Sequence, residues 1–272
     1  GTRHLAAKAA ERALAAAGVA PEELDIIILG TSSPDRNYPS DACSVQAAIG
    51  AVNAVAFDIS AACAGFIFAM NIVEGFFKAG IYKTALIIGA ETLSKVTDWS
   101  DRGTCVLFGD GAGAAVLKAE ETGIIDMMMG ADGTKGDVLA CTSRTVGNFL
   151  TGTKPELGFM TMDGQEVFKF AVRKVPESVI ELLQRTGTKK EDIKYYVLHQ
   201  ANERIIEAAA RRLKEPMEKF PMTISQFGNT STASIPLLLD DMIRKDMLKR
   251  GDKIIMSGFG AGMTWGAVLM EW

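Results

Sequence analysis

The chain has 272 residues, 48% hydrophobic and 23% charged, with a net charge of -4. That length and apolar content suit a packed globular protein and exclude a disordered one, and the mild acidity gives no footing for nucleic acid. No apolar run reaches the ~18–20 residues of a membrane span, no secretory core follows Gly1-Thr2-Arg3-His4, and Cys43, Cys63, Cys105 and Cys141 show no metal-binding spacing. A cytoplasmic protein without a metal is expected.

The elements alternate. Residues 3–17 form an Ala-rich helix, 26–29 a buried strand and 41–49 a helix after Pro39-Ser40. A strand at 55–59 leads into a long apolar helix at 62–79, and strands at 84–88 and 113–117 follow. Residues 124–129 read as a strand, and 131–157 as a surface loop or lid. Then come helix 165–186, strand 193–198, helices 202–213 and 231–244, and strands 253–256 and 266–270. Continuous apolar strands between helices predict helix-covered, mostly parallel sheets.

The order repeats. Gly18 matches Gly187 and Gly89 matches Gly258, both 169 residues apart, and each copy closes with a Gly-rich turn and a strand. Between these landmarks, Cys63 in Phe57-Asp58-Ile59-Ser60-Ala61-Ala62-Cys63 pairs with Asn229 in Ile224-Ser225-Gln226-Phe227-Gly228-Asn229, 166 residues on. Two halves are expected, 1–122 and 123–272. The second opens with the strand 124–129, whereas the first opens in a helix, so its opening strand has no counterpart.

Three residues carry candidate chemistry. Cys63 stands at the start of a helix, where the dipole favours thiolate, a nucleophile. A cysteine is also commonly just a small buried hydrophobe. His199 ends the strand 193–198, where α/β sheets place ligands, though a lone histidine is often structural. Asn229 occupies a Gly-Asn turn, common turn chemistry, but its pairing with Cys63 predicts convergence on one pocket. There His199 and Asn229 could donate hydrogen bonds to a carbonyl or enolate oxygen.

The motifs Asp58-Ile59-Ser60-Ala61-Ala62-Cys63-Ala64-Gly65-Phe66, Phe108-Gly109-Asp110-Gly111-Ala112-Gly113-Ala114, His199-Gln200-Ala201-Asn202, Gly228-Asn229-Thr230-Ser231 and Gly258-Phe259-Gly260-Ala261-Gly262-Met263-Thr264-Trp265-Gly266 together resemble the thiolase-fold condensing enzymes. Within them the chain is most similar to the β-ketoacyl-acyl-carrier-protein synthase III family.

The resemblance implies an α/β thiolase-like fold, two duplicated halves with mixed sheets in an αβαβα layering. It implies an acyltransferase of fatty-acid biosynthesis. Cys63 takes an acyl group from a short acyl-CoA, with the backbone N–H groups of Cys63 and Ala261 as oxyanion hole. His199 and Asn229 then stabilise the enolate left when malonyl-acyl carrier protein loses CO2. No cofactor is implied, since acyl-CoA and malonyl-carrier protein are substrates.

By the same resemblance Phe259 packs beside the catalytic groups, and Arg102, Gln165 and Asn202 contact CoA or substrate. Tyr38 reaches the acyl pocket across a homodimer, at a position where the family commonly has phenylalanine. Lys169, Arg204, Arg211 and Arg212 form a patch for the acidic carrier protein; the three arginines are spaced i, i+7, i+8 on one helix face. The family's opening strand and two CoA-mouth residues lack a match, which implies an incomplete record of a longer chain. A CoA-primed polyketide or quinolone-type synthase, a Cys-His-Asn thiol hydrolase and an inactive scaffolding partner remain open alternatives.

Overall fold

A computed structural model describes residues 1–272. The first half contains α1 (Thr2–Ala17), β1 (Ile26–Gly30), α2 (Asp41–Ile49), β2 (Val55–Ile59), α3 (Gly65–Lys78), β3 (Thr84–Thr92) and β4 (Asp110–Lys118). The second contains β5 (Ile124–Ala131), β6 (Leu139–Cys141), β7 (Met160–Met162), α4 (Gly164–Thr186), β8 (Ile193–Leu198), α5 (Glu203–Leu213), α6 (Ile224–Phe227), α7 (Ser234–Arg244), β9 (Lys253–Gly260) and β10 (Thr264–Glu271). No helix is long and apolar enough to cross a membrane.

The apolar strands explain the layering. Residues of β1 alternate between two cores: Ile27 and Leu29 pack with α1 and α2, while Ile26 and Ile28 pack with Phe66 and Met70 of α3. That middle core also takes Ile235, Leu238 and Met242 of α7 and Ile254, Met256 and Val268 of the second sheet. On the second sheet's other face, Ile255 and Leu269 pack with Phe170 and Val175 of α4 and Ile206 of α5. The layers are therefore α1/α2, sheet, α3/α7, sheet, α4/α5, the five-layer αβαβα arrangement that the resemblance implied.

The sheet order is β2-β1-β3-β4 in the first half and β5-β10-β9-β8 in the second. β1 pairs in parallel with β2 and β3, and only β4 is antiparallel. In the second sheet only β8 and β9 are parallel; β10 runs antiparallel to both neighbours. The expected mostly parallel character holds in the first sheet and fails in the second, because β5, β9 and β10 contribute two antiparallel pairings. The stretch 131–157 contains short helical turns at Gly133–Val138 and β6, which pairs with β7 in a small two-stranded sheet.

Two turns of the chain correspond in structure, in a register that differs from the sequence pairing at Cys63. Ala62 and Ser231 both have left-handed backbones, φ 45° and 49°. Each opens a single 3-10 turn, Ala62–Ala64 and Ser231–Ala233, and each turn leads straight into a helix, α3 at Gly65 and α7 at Ser234. All these pairs are 169 residues apart, so the structural equivalent of Cys63 is Thr232, and not Asn229. The glycines agree: a Cβ on Gly89 would collide with the carbonyl oxygen of Thr232, and one on Gly258 would lie 3.2 Å from that of Cys63. The sequence pairing slipped because it matched strand β2 to residues 224–228. Those residues form a helical turn, α6, so the copies coincide again only after it.

Candidate active site

Cys63 sits in the turn between β2 and α3, with 6% of its surface exposed. The turn is pinned from the other half. Thr232 Oγ1 donates to Ala62 O at 2.7 Å, and Thr264 Oγ1 donates to Ala61 O at 3.0 Å. Strand β9 comes so close that a Cβ on Gly260 would lie 2.5 Å from the Cys63 nitrogen. Only glycine permits that approach.

Burial pushes the Cys63 thiol up to about 12, with the nearby Ser231 side chain opposing the rise and the Glu91 carboxylate adding to it. The expected thiolate-favouring effect of the helix start is outweighed by desolvation of a charge. At neutral pH Cys63 is therefore a thiol.

His199 follows β8 and is 2% exposed. Its N–H donates to Ser257 O at 2.8 Å, continuing the ladder onto β9. Its Nδ1 lies 2.6 Å from Ser234 Oγ, which also accepts the Gln200 N–H at 3.3 Å. The Ser234 hydroxyl has no other hydrogen-bond acceptor, so its proton goes to Nδ1. This assigns the tautomer with the proton on Nε2. Burial lowers the imidazole from 6.5 to about 3, so it is neutral. Phe259 closes one side, its ring edge-on to His199 at 5.4 Å.

Asn229 is fixed by its backbone, whose N–H donates to Leu107 O and whose carbonyl accepts from Gly109 N–H, each at 2.9 Å. Its Oδ1 accepts the Ser231 N–H at 2.9 Å. The acceptor end of the amide is thus committed, and the Nδ2 end is the one able to donate. The segment 229–234 ties the three groups together. It contains Asn229, its Ser231 N–H bonds the Asn229 amide oxygen, its Thr232 pins the Cys63 turn at Ala62 O, and its Ser234 holds His199.

Sequence reasoning missed Glu91, Thr232 and Ser234. The last two, together with Ser231, stand in the polar run that opens an otherwise apolar helix, which was the available signal. Glu91 gave none beyond being a charge at the end of an apolar strand.

The remaining candidates line the surface. One cleft of about 760 Å³ is bordered by Gly103 and Gln165, with Arg102 exposed next to Gly103. A second of about 420 Å³ is lined by Gln165, Lys169, Asn202 and Arg204. Asn202 Oδ1 caps α5 by accepting the Arg204 N–H at 2.9 Å, a structural duty besides any ligand contact. Lys169 also pairs with Glu166 at 2.7 Å.

The expected four-residue basic patch divides. Arg211 pairs with Glu207 at 3.8 Å, and Arg212 turns onto α4, donating to Val172 O at 3.3 Å beside Glu177. Neither lines the groove of Lys169 and Arg204, because Arg212 is drawn aside by the helix it packs on and Arg211 stands nearly two turns from Arg204. Tyr38 is 86% exposed and lines neither cleft.

Comparison with known proteins decides the family. Residues 57–133 match the family model described as 3-oxoacyl-[acyl-carrier-protein] synthase III, and residues 183–272 match its C-terminal counterpart. The β-ketoacyl-[acyl-carrier-protein] synthase III of Clostridium acetobutylicum is 51% identical over 100% of this chain and 84% of its own length. The chain belongs to the β-ketoacyl-acyl-carrier-protein synthase III family. The crystal structure of 3-oxoacyl-[acyl-carrier-protein] synthase III from Aquifex aeolicus superposes with a TM-score of 0.92 at 45% identity, covering 100% of this chain and 85% of that one. The priming β-ketosynthase of the R1128 polyketide pathway superposes at 0.89 and 34% identity, over 99% of this chain and 81% of that one. Family membership carries the enzyme class: a condensing acyltransferase of the synthase III type that initiates fatty-acid synthesis.

Proposed function

We propose that this enzyme takes a short acyl group from acyl-CoA onto Cys63 and condenses it with malonyl-acyl carrier protein, releasing CO2 and 3-oxoacyl-carrier protein. The halves 1–122 and 123–272 supply different tools, a nucleophile from the first and two oxygen-stabilising donors from the second. The observation that carries this reading is the bonding of segment 229–234, which orients His199 and Asn229 as donors beside a buried thiol.

In the first step Cys63 attacks the acyl thioester, with the backbone N–H groups of Cys63 and Ala261 receiving the oxyanion. Loss of CO2 from the malonyl group then leaves an enolate. Nε2–H of a neutral His199 and Nδ2–H of Asn229 donate to its oxygen. This needs neither a strong base nor a cofactor, since the leaving carboxylate itself generates the carbon nucleophile. Phe259 keeps water from the imidazole face.

Arg102, Gln165 and Asn202 would hold the CoA or phosphopantetheine arm in the two clefts. Lys169 and Arg204 would meet the acidic carrier protein, with Arg211 and Arg212 at its margin. Tyr38 would reach the acyl pocket of a second subunit in a homodimer. Incubation with acetyl-CoA and malonyl-carrier protein should give acetoacetyl-carrier protein by mass; absence of that product with every acyl-CoA tested would refute the reading. A second reading, a condensation that primes polyketide synthesis, rests on 34% identity to the priming β-ketosynthase of the R1128 polyketide pathway.

A further inference from the structure

Glu91, on β3, is a fully buried acid that the reaction above leaves unused. Its carboxyl group joins loop 31–33 to Thr232, the residue that pins the turn of Cys63. A buried carboxylate needs a cation or a full set of donors. No cation is bonded to it: Lys95, beside the same loop, is spent on Ser33 O at 2.7 Å and on Asp35 at 2.8 Å. The titratable group beside it is the Cys63 thiol, and its hydrogen-bond partners are three hydroxyls and one amide.

Its two oxygens differ. Oε2 receives the Ser33 hydroxyl at 2.5 Å, the Ser32 N–H at 3.0 Å and the Thr31 hydroxyl at 3.2 Å. Neither hydroxyl has another acceptor, so both protons go to Oε2. Oε1 shares the Ser32 N–H at 3.1 Å and lies 3.0 Å from Thr232 Oγ1. Thr232 does have another acceptor. Its single hydroxyl proton goes to Ala62 O, which at 2.7 Å is the closer of the two. The contact between Thr232 and Oε1 is then one proton short, and a proton on Oε1 completes it. Burial raises the acid above the ordinary carboxylate range, in the same direction.

We propose that Glu91 is held as a neutral acid whose Oε1–H donates to Thr232, and that this bond sets the direction of the Cys63 N–H in the oxyanion hole. This rests on the nucleophile and oxyanion roles proposed above for Cys63. The chain runs from Glu91 Oε1–H to Thr232 Oγ1, and from Thr232 Oγ1–H to Ala62 O. Ala62 O and the Cys63 N–H belong to one trans peptide plane, so they point in opposite directions, and holding the oxygen aims the N–H. Ala62 needs that hold, since its φ of 45° lies in the left-handed region that a Cβ disfavours. The Thr232 methyl is wedged against Gly30 and Gly65, where a Cβ would lie 2.7 and 3.0 Å from it, so the hydroxyl stays between Glu91 and Ala62. An ionised Glu91, the stronger acceptor, would take the Thr232 proton and release Ala62 O. A neutral one puts no charge beside Cys63, so burial is what keeps the thiol protonated. Glu91 touches no substrate and is a positioning residue.

The charge state is read by infrared spectroscopy of the whole enzyme at pH 7, with isotope-labelled glutamate to mark the band. The wild type should show the C=O stretch of a protonated glutamic acid, and Glu91→Gln should lose it. A wild-type spectrum with ionised glutamates alone would overturn the proposal, whether or not any variant folds. The positioning role is read by the saturating rate of acyl-enzyme formation from acetyl-CoA, by quenched intact mass, per folded enzyme. Glu91→Gln keeps a donor toward Thr232 and an acceptor toward Ser33, and should stay within about three-fold of the wild type. Glu91→Ala should lose about ten-fold or more of that rate with the acetyl-CoA KM within about two-fold, a part of the 10²–10³ that removing a whole oxyanion donor costs. In a Thr232→Val background the Gln and Ala variants should become equal, because the chain is already broken. Equal rates for Glu91→Gln and Glu91→Ala with Thr232 present, or a loss confined to KM, would overturn the proposal. Failure of the nucleophile assignment reads differently: Cys63→Ser would still condense acyl-CoA, and the glutamic-acid band would be unchanged.

Discussion

The two turns at Ala62–Ala64 and Ser231–Ala233 are the same piece of backbone used for opposite ends. Both start with a left-handed residue, open a central-layer helix, and lie against a glycine of the neighbouring central strand, Gly258 for the first and Gly89 for the second. The middle residue is Cys63 in one copy and Thr232 in the other. Cys63 carries the thiol proposed to take the acyl group. Thr232 is packed among Gly30, Gly65 and Gly89 and bonds Ala62 O and Glu91, so it serves as the bolt that holds the other turn. The second turn thus supports the one that carries Cys63.

The comparison breaks most sharply at the central residues. Cys63→Ser should lower acyl transfer by roughly 10³-fold or more, because a neutral hydroxyl is a far weaker nucleophile. Thr232→Val, which keeps shape and removes the hydroxyl, should cost about 1–3 kcal/mol of stability by stranding Ala62 O, and slow acyl transfer secondarily. A urea midpoint and an acylation rate for each variant separate the two roles. Equal activity losses without a stability difference would erase the distinction.

The glycines sharpen it. Gly89→Ala drives a methyl into the Thr232 backbone and should cost about 3 kcal/mol, whereas Gly258→Ala, at 3.2 Å from Cys63 O, should cost about 1 kcal/mol. Urea unfolding of the pair checks the order.

The histidine gives a pH-resolved effect. Its folded value, about 3, lies below the ordinary 6.5. The unfolded chain therefore binds the extra proton first as pH falls. Stability is fully present above 6.5 and is lost between 6.5 and 3, by up to about 1.4 kcal/mol per pH unit. His199→Gln should flatten that slope; an unchanged slope means the ring is not held neutral. The smallest effect is on the surface: Arg204→Glu should raise the carrier-protein KM several-fold, more than Arg211→Glu, which already faces Glu207.

Much of this molecule was legible in its sequence. Runs such as 26–30 and 84–88 are apolar on both faces because both faces are covered, and that pattern survives translation into layers. The candidate cysteine, histidine and asparagine each stood beside a strand end or turn. The register of the repeat was not legible at Cys63, since α6 replaces a strand and residues 224–228 mimic β2 only in composition. Glu91 was hidden for another reason: its partners at 31–33 and 231–232 are distant in the chain, so only folding reveals that its charge is enclosed. The split of Arg212 from the basic groove is likewise tertiary, set by its contact with Val172.

The central claim is that the halves divide the reaction, with the nucleophile in one and the enolate donors in the other. Asn229→Ala tests it most directly, by following both half-reactions in the same sample with intact mass for the acyl adduct on Cys63 and CO2 release from malonyl-carrier protein. The account predicts near-normal acylation with decarboxylation reduced by about 10²–10³-fold, the usual consequence of removing one oxyanion donor. Normal CO2 release, or loss of the acyl adduct to the same degree, would contradict it.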